Sequence, residues 1–164
     1  MEPEKQYEKD FKEFIEILNK HDVEYMIVGA YAVMFHTHIS RDTKDIDFWI
    51  NRTEENVKKC IEAIEEFSGE RVNADSLLIK DSLVFIGQEP YRIDILNEQG
   101  DLPFNKAYSN KTEGIFYETK TTYISKIDLL ALKEYYHRDQ DIKDIKRLKK
   151  TEEVQDIKPR GRHR

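Results

Sequence analysis

Cys60 is the only cysteine in the 164 residues, so no disulfide can form within the chain. Proline and glycine are scarce, at 4 and 6 residues, and no Pro-, Gly- or Ser-rich tract marks a linker. A single domain of ordinary size is therefore expected over residues 1–150, with a core at about 23–124 and closing helices at about 126–150. No apolar run approaches the ~20 residues of a membrane-spanning helix. No apolar leader stands before the acidic opening "MEPEKQYEKD", and a soluble, cytoplasmic protein with no membrane partner is expected. Positive charge is in deficit, with 27 Lys and Arg against 33 Asp and Glu. A net charge of −6 argues against binding nucleic acid by bulk electrostatics, which needs a basic face. The exception is the end of the chain, "KPRGRHR", and residues 151–164 are expected to form a disordered basic tail.

What is present is a folded composition, 38% apolar and 37% charged. Tyr7, Phe11, Phe14, Ile15 and Leu18 recur at helical spacing from about Glu4 to Lys20. Tyr25 to Val28 reads as a short strand that ends at Gly29, and "AYAVMFHTH" as a buried helix. After the polar loop "ISRDTK", Asp45 to Ile50 reads as a strand and Glu54 to Phe67 as an amphipathic helix. "SLLI", "SLVFIG" and "YRIDIL" read as three short strands, and "GIFYETKTTYIS" as a hairpin turning at "TK". "KIDLLALKEYYHR" and "DIKDIKRLKK" read as closing helices. The sum is an α/β (α+β) fold, a small mixed sheet flanked by helices.

Two aspartates interrupt the strand "DIDFWI". Residues i and i+2 of a strand share a face, so Asp45 and Asp47 project together. At about 6–7 Å and an effective dielectric near 20, two carboxylates repel by roughly 2–3 kcal/mol, which a purely structural strand has no reason to tolerate. A hard divalent cation relieves that repulsion, and Mg2+ is commonly held by one or two carboxylates together with substrate phosphates. Asp94 interrupts "YRIDIL" in the same way and completes a candidate two-metal cluster if the two strands are neighbours. Gly29 and Ala30 stand where a strand turns into a helix, where small residues let backbone N–H groups approach a phosphate. The blander readings are exposed acids at strand ends, a structural His36–His38 pair in place of a zinc site, and core packing for Tyr135 and Tyr136 beside His137 and Arg138.

Taken together, "VGAYAVMFHTHISRDTKDIDF" resembles the nucleotidyltransferases of the DNA polymerase β superfamily. Arg41, Thr43, Asp45, Ile46 and Asp47, as R-x-T-x-D-I-D, resemble the abortive-infection, type IV toxin-like branch in particular. "ISKIDLLALKEYYHRDQDIKDIKRL" resembles that branch's closing helices. The resemblance implies a polymerase β-like fold and transfer of a nucleoside monophosphate from an NTP to a hydroxyl, with two Mg2+ or Mn2+ ions. It implies metal binding and catalysis by Asp45, Asp47 and Asp94, and nucleotide contacts from Gly29, Ala30, Arg41, Thr43, Lys44 and Lys133, with Asp141 in support. Ala30 departs from the pattern, which has Gly or Ser there, and lacks a hydroxyl for phosphate. The implied acceptor is RNA, tRNA or protein, with a cognate toxin or antitoxin as a further partner. The alternatives are an aminoglycoside- or lincosamide-modifying enzyme and a non-catalytic nucleotide-binding regulator.

Overall fold

The computed structural model describes residues 5–87 and 90–157. Helix α1 (Gln6–Lys20) opens with the Lys5 amide donating to Glu8 Oε1 and the Glu8 amide donating to the Lys5 carbonyl, each at 3.0 Å. It buries Phe11, Phe14, Ile15, Ile17 and Leu18, the face set by the apolar spacing. Strand β1 (Tyr25–Val28) leads directly into α2 (Gly29–Thr37), and β2 (Asp45–Ile50) returns antiparallel to β1. Helix α3 (Glu54–Ser68) starts on Thr53, whose hydroxyl accepts from the Asn56 amide at 3.2 Å, and stops at Gly69 in the left-handed region.

Helix α4 (Asp75–Leu78), strands β3 (Leu83–Ile86) and β4 (Arg92–Leu96), helix α5 (Phe104–Ser109), strands β5 (Thr112–Phe116) and β6 (Thr119–Tyr123), and helices α6 (Lys126–Tyr136) and α7 (Asp139–Ile157) follow. The six strands form one mixed sheet in the order β3-β4-β2-β1-β6-β5. β4 lies parallel to β2 and β6 parallel to β1, and the remaining pairs are antiparallel. The mixed sheet flanked by helices is the fold class expected.

Three expectations are corrected. "SLLI" is not a strand but falls in the one-turn helix α4 and the residue after it. Its Leu77 is fully buried, a use of one apolar residue in four that helix and strand serve equally well. The hairpin turns at Tyr117 and Glu118, not at "TK", with φ of +42° and +73° that suit a two-residue turn between twisted strands. Helix α7 runs on to Ile157, past residue 150 where the closing helices were expected to end. Residues 158–164, half of the expected basic tail, lie outside the described residues.

One face of the sheet carries the aromatic core. Ile46, Phe48 and Ile50 of β2 are fully buried. Phe48 meets Phe14 of α1 and Tyr25 of β1 edge-on, at ring separations of 5.4 and 5.7 Å. The opposite face of β2 therefore carries Asp45 and Asp47, and buried Leu129 and Leu132 of α6 line the cavity beside Asp47. Phe48→Ala should destabilise the protein by about 3–5 kcal/mol through lost burial and the cavity left behind. Urea unfolding followed by circular dichroism checks this, with an unchanged m-value expected.

Candidate functional site

Parallel register sets Asp47 of β2 beside Asp94 of β4, and Asp45 beside Arg92. Paired residues of adjacent strands share a face, so all four side chains stand on the side away from Phe48. The Asp47 and Asp94 carboxyl groups thus lie side by side on one face of the sheet. Burial, then the charge of Asp94 and that of Asp45, pushes the Asp47 carboxyl up to about 7, with Arg92 partly offsetting the rise. Arg92 grips Asp94 with two hydrogen bonds, Nε to Oδ1 at 2.7 Å and Nη2 to Oδ2 at 3.1 Å. The same Nη2 lies 3.5 Å from Asp45 Oδ2.

Gly29 closes the site from the β1 side. Its φ of +70° lies in the left-handed region, and a Cβ there would overlap Asp47 Oδ2, so only glycine turns this strand into α2 with Asp47 in place. No side chain caps the start of α2, whose first amides point away from the helix without a side-chain acceptor. A cavity of about 250 Å³ opens in front of this corner, walled by Gly29, Asp47, Gln99, Lys133, Tyr136 and Arg138 among others. Ala30, Arg41, Thr43 and Lys44 are not among its walls.

Lys133 reaches the cavity but is already matched. It is 8% exposed, and its Nζ lies 3.2 Å from Asp141 Oδ1 and 3.0 Å from Asp144 Oδ2. Asp144 is fully buried and also takes Arg41 Nη1 at 2.5 Å, while Arg138 donates to Asp141 through Nε at 2.7 Å and its amide at 2.9 Å. Burial alone would raise the Asp141 carboxyl, but the hydrogen bonds from Arg138 and Lys133 outweigh it and hold the group at about 2. Asp144 is lowered in the same way, burial being outweighed by Lys133, Gln140 and Arg41. Arg41 thus faces Asp144 and a larger open cleft of about 1510 Å³, which Tyr7, Tyr31, Phe35 and Tyr117 also line. Thr43 Oγ1 makes a long 3.5 Å contact to the Asp45 carbonyl, and Lys44 is exposed.

Arg92 and Gln99 were not singled out from the sequence, and Tyr136 and Arg138 only as part of a cluster that could stack on a base or an RNA end. Arg92 did carry a signal, because it stands two residues before Asp94 and so shares its strand face. Tyr136 and Arg138 flank His137, which ends α6 in the left-handed conformation and turns Arg138 back over the Tyr136 ring at 4.8 Å. The expected core role of Tyr135 and Tyr136 does not hold, since they are 55% and 36% exposed. His36 Nε2 meets the Ile124 carbonyl at 2.8 Å, and His38 ends α2 in the left-handed region.

Among the described residues no group of three or more His, Cys, Asp and Glu side chains is disposed to close on a metal ion. Asp45 and Asp94 are engaged by the Arg92 fork. The donor set is nonetheless all carboxylate oxygen and short of positive charge, as the raised Asp47 group records, and it fits a hard cation such as Mg2+ or Mn2+.

A mixed sheet with a glycine-turned strand-to-helix corner beside three carboxylates on adjacent strands defines a protein of the nucleotidyltransferase superfamily. The chain belongs to the family described as "Nucleotidyltransferase of unknown function (DUF6036)", whose model matches residues 7–155. The fold is similar to that of the lincosamide antibiotic adenylyltransferase LnuA in its lincomycin-bound crystal structure, with a TM-score of 0.57 at 20% identity over 86% of this chain and 95% of that one. It is also similar to an antigenic nucleotidyltransferase-like protein from Paracoccidioides brasiliensis, with a TM-score of 0.56 at 16% identity over 87% of this chain and 75% of that one. No curated protein sequence matches the chain. The protein is a nucleotidyltransferase.

Two predictions follow from these charges. An aspartate titrates near 4 when unfolded, and Asp47 holds its proton to about 7 when folded, so the folded state binds more protons between those values. Stability from this group therefore falls as pH rises through that window. In chelating buffer, Asp47→Asn should gain about 3–4 kcal/mol over wild type between about pH 4 and pH 7.5, measured by urea unfolding at each pH. Asp144→Ala should cost about 3–5 kcal/mol at neutral pH by leaving Arg41 without its buried partner and Lys133 with Asp141 alone, measured in the same way.

Proposed function

We propose that the protein moves a nucleoside monophosphate from an NTP to a hydroxyl group, releasing pyrophosphate. The observation that carries this reading is the in-register pair Asp47 and Asp94, with Asp45 on the same face, against the Gly29 turn. In the reaction the acceptor oxygen attacks the α-phosphorus, and the bond from that phosphorus to the α–β bridging oxygen breaks. Asp45, Asp47 and Asp94 would hold divalent ions, which supply charge neutralisation at the phosphates when bound. Asp94, once released by the Arg92 fork, would draw the proton from the acceptor hydroxyl. Gly29, Ala30 and the uncapped amides at the start of α2 offer donors to the triphosphate. Arg138 is the cation of the cavity wall best placed to meet the outer phosphates, because its side chain is 69% exposed. Positioning and charge carry such a reaction, and no covalent enzyme intermediate is needed.

For the acceptor, RNA, tRNA or protein is the reading that the R-x-T-x-D-I-D resemblance favours, and a toxin–antitoxin pairing rests on that resemblance alone. A small hydroxylated acceptor is favoured by a different observation. The cleft of about 1510 Å³ has aromatic walls and carries Glu8, Asp42 and Glu118 against Lys5 and Arg41, and this aromatic, slightly acidic lining suits a compact molecule better than a polyphosphate chain. The lincosamide adenylyltransferase of similar fold makes a lincosamide a natural first member of that panel.

The test is label transfer from each α-labelled NTP, with Mg2+ or Mn2+, to total RNA, total protein, an aminoglycoside and lincomycin. Transfer to one acceptor class is expected, falling by at least about a hundredfold in Asp47→Asn. Nucleotide binding with no transfer to any acceptor would favour the regulator instead.

A further inference from the structure

Arg92 opens β4 directly opposite Asp45 of β2, and its fork holds both oxygens of Asp94 while reaching Asp45. Bidentate pairing of this kind is the strongest that a carboxylate makes with a side chain. The flat face of the guanidinium lies on Phe85, 4.1 Å from the ring centroid, and Phe85 is the β3 residue paired with Asp94. Arg92 therefore spans two acids from neighbouring strands, the same two that a divalent ion bound by the cluster would have to share.

We propose that Arg92 is an exchangeable counter-ion of the carboxylate cluster, which gives up Asp45 and Asp94 when a divalent ion binds and so sets the affinity for that ion. The inference rests on the reading of these carboxylates as a metal site. Three observations separate an exchangeable contact from a fixed structural tie. The Arg92 side chain is 27% exposed and that of Asp45 38%, so the guanidinium can move into water without crossing a packed core. Phe85 is 53% exposed and offers a face on which the displaced cation can stay. The Arg92 amide is held by the Lys44 carbonyl at 3.1 Å, so exchange needs side-chain rotation alone and leaves the sheet intact. The driving force is repulsion, because a monovalent guanidinium and a divalent ion cannot share one carboxylate pair at contact distance.

The experiment titrates Mn2+ into nucleotide-free protein and follows the free-ion signal by electron paramagnetic resonance, for wild type, Arg92→Gln, Arg92→Lys and Asp47→Asn. Arg92→Gln should bind Mn2+ at least about tenfold tighter than wild type, because a competing charge has been removed. Its melting temperature in EDTA should lie below that of wild type, and saturating Mn2+ should raise it by more than it raises the wild type. Arg92→Lys keeps the charge and stem but cannot fork two acids, so it should bind Mn2+ a few-fold tighter, roughly between the other two. If Arg92→Gln fails to fold, Arg92→Lys decides the question alone.

Equal or weaker Mn2+ binding by the Arg92 variants, with wild-type binding that Asp47→Asn abolishes, would overturn the proposal while leaving the metal site standing. No Mn2+ binding by wild type or variants would remove the metal site and this proposal together.

Discussion

Negative charge gathered on one face of β2 and β4 is the constraint to which the surrounding structure answers. Three carboxylates there repel one another strongly in a half-buried setting, and the protein meets them with distinct sources of positive charge. Burial keeps a proton on Asp47, whose carboxyl is pushed up to about 7. Register places Arg92 beside Asp45, with its fork on Asp94. The left-handed turn at His137 brings Arg138 to the far wall of the same cavity. The Gly29 corner is fixed by the same constraint, since any side chain there would meet Asp47.

A second charge cluster closes the site from above. Arg41, Lys133 and Arg138 share Asp141 and Asp144, and in doing so they join the loop before β2 to α6 and α7. Among residues 139–151 of α7, Asp141 and Asp144 are almost fully buried beside Leu148, so these pairs help set the register of α7 on α6. Replacing such a network by apolar residues can preserve stability, whereas removing one member strands the others. Its value to this fold is positional, holding the Arg138 turn and the Arg41 loop at fixed places around the carboxylates.

The parts of this arrangement that were legible in the sequence are those with a period or a backbone demand. The i, i+2 spacing of Asp45 and Asp47 fixed their shared face, and Gly29 marked the corner because a strand followed at once by a helix needs an unusual φ. The location of Asp94 was legible only as a conditional, because pairing of β4 with β2 is a long-range contact that no local pattern encodes. "SLLI" was misread because a segment of four residues, three of them apolar, contains too few turns to tell one period from another. The hairpin was displaced by two residues because Tyr117 and Glu118 take positive φ without being Gly, Asn or Asp, the residues that usually announce such a turn. Helix α5 went unread for a similar reason, as six residues with Ala107 as their buried member carry little periodic signal.

Charge is the property that sequence spacing renders least well, and the basic residues show why. Arg41 and Lys133 lie where the resemblance places contacts to a triphosphate, yet each is bound to a buried aspartate. Releasing either to grip a phosphate would strip the fully buried Asp144 of one of its two cationic partners, a costly step inside a buried network. Arg138, whose side chain is 69% exposed and pairs with Asp141, faces a smaller penalty. Asp141 keeps Lys133 if the Arg138 side chain turns away, and the Arg138 amide still donates to it. The exposed head of Arg138 is therefore the part of the network that can move toward a ligand while the rest stays assembled. Under the proposed reaction, Arg41 and Lys133 serve by holding the frame, and the cation that meets the phosphates is one for which the spacing of the motif gave no sign.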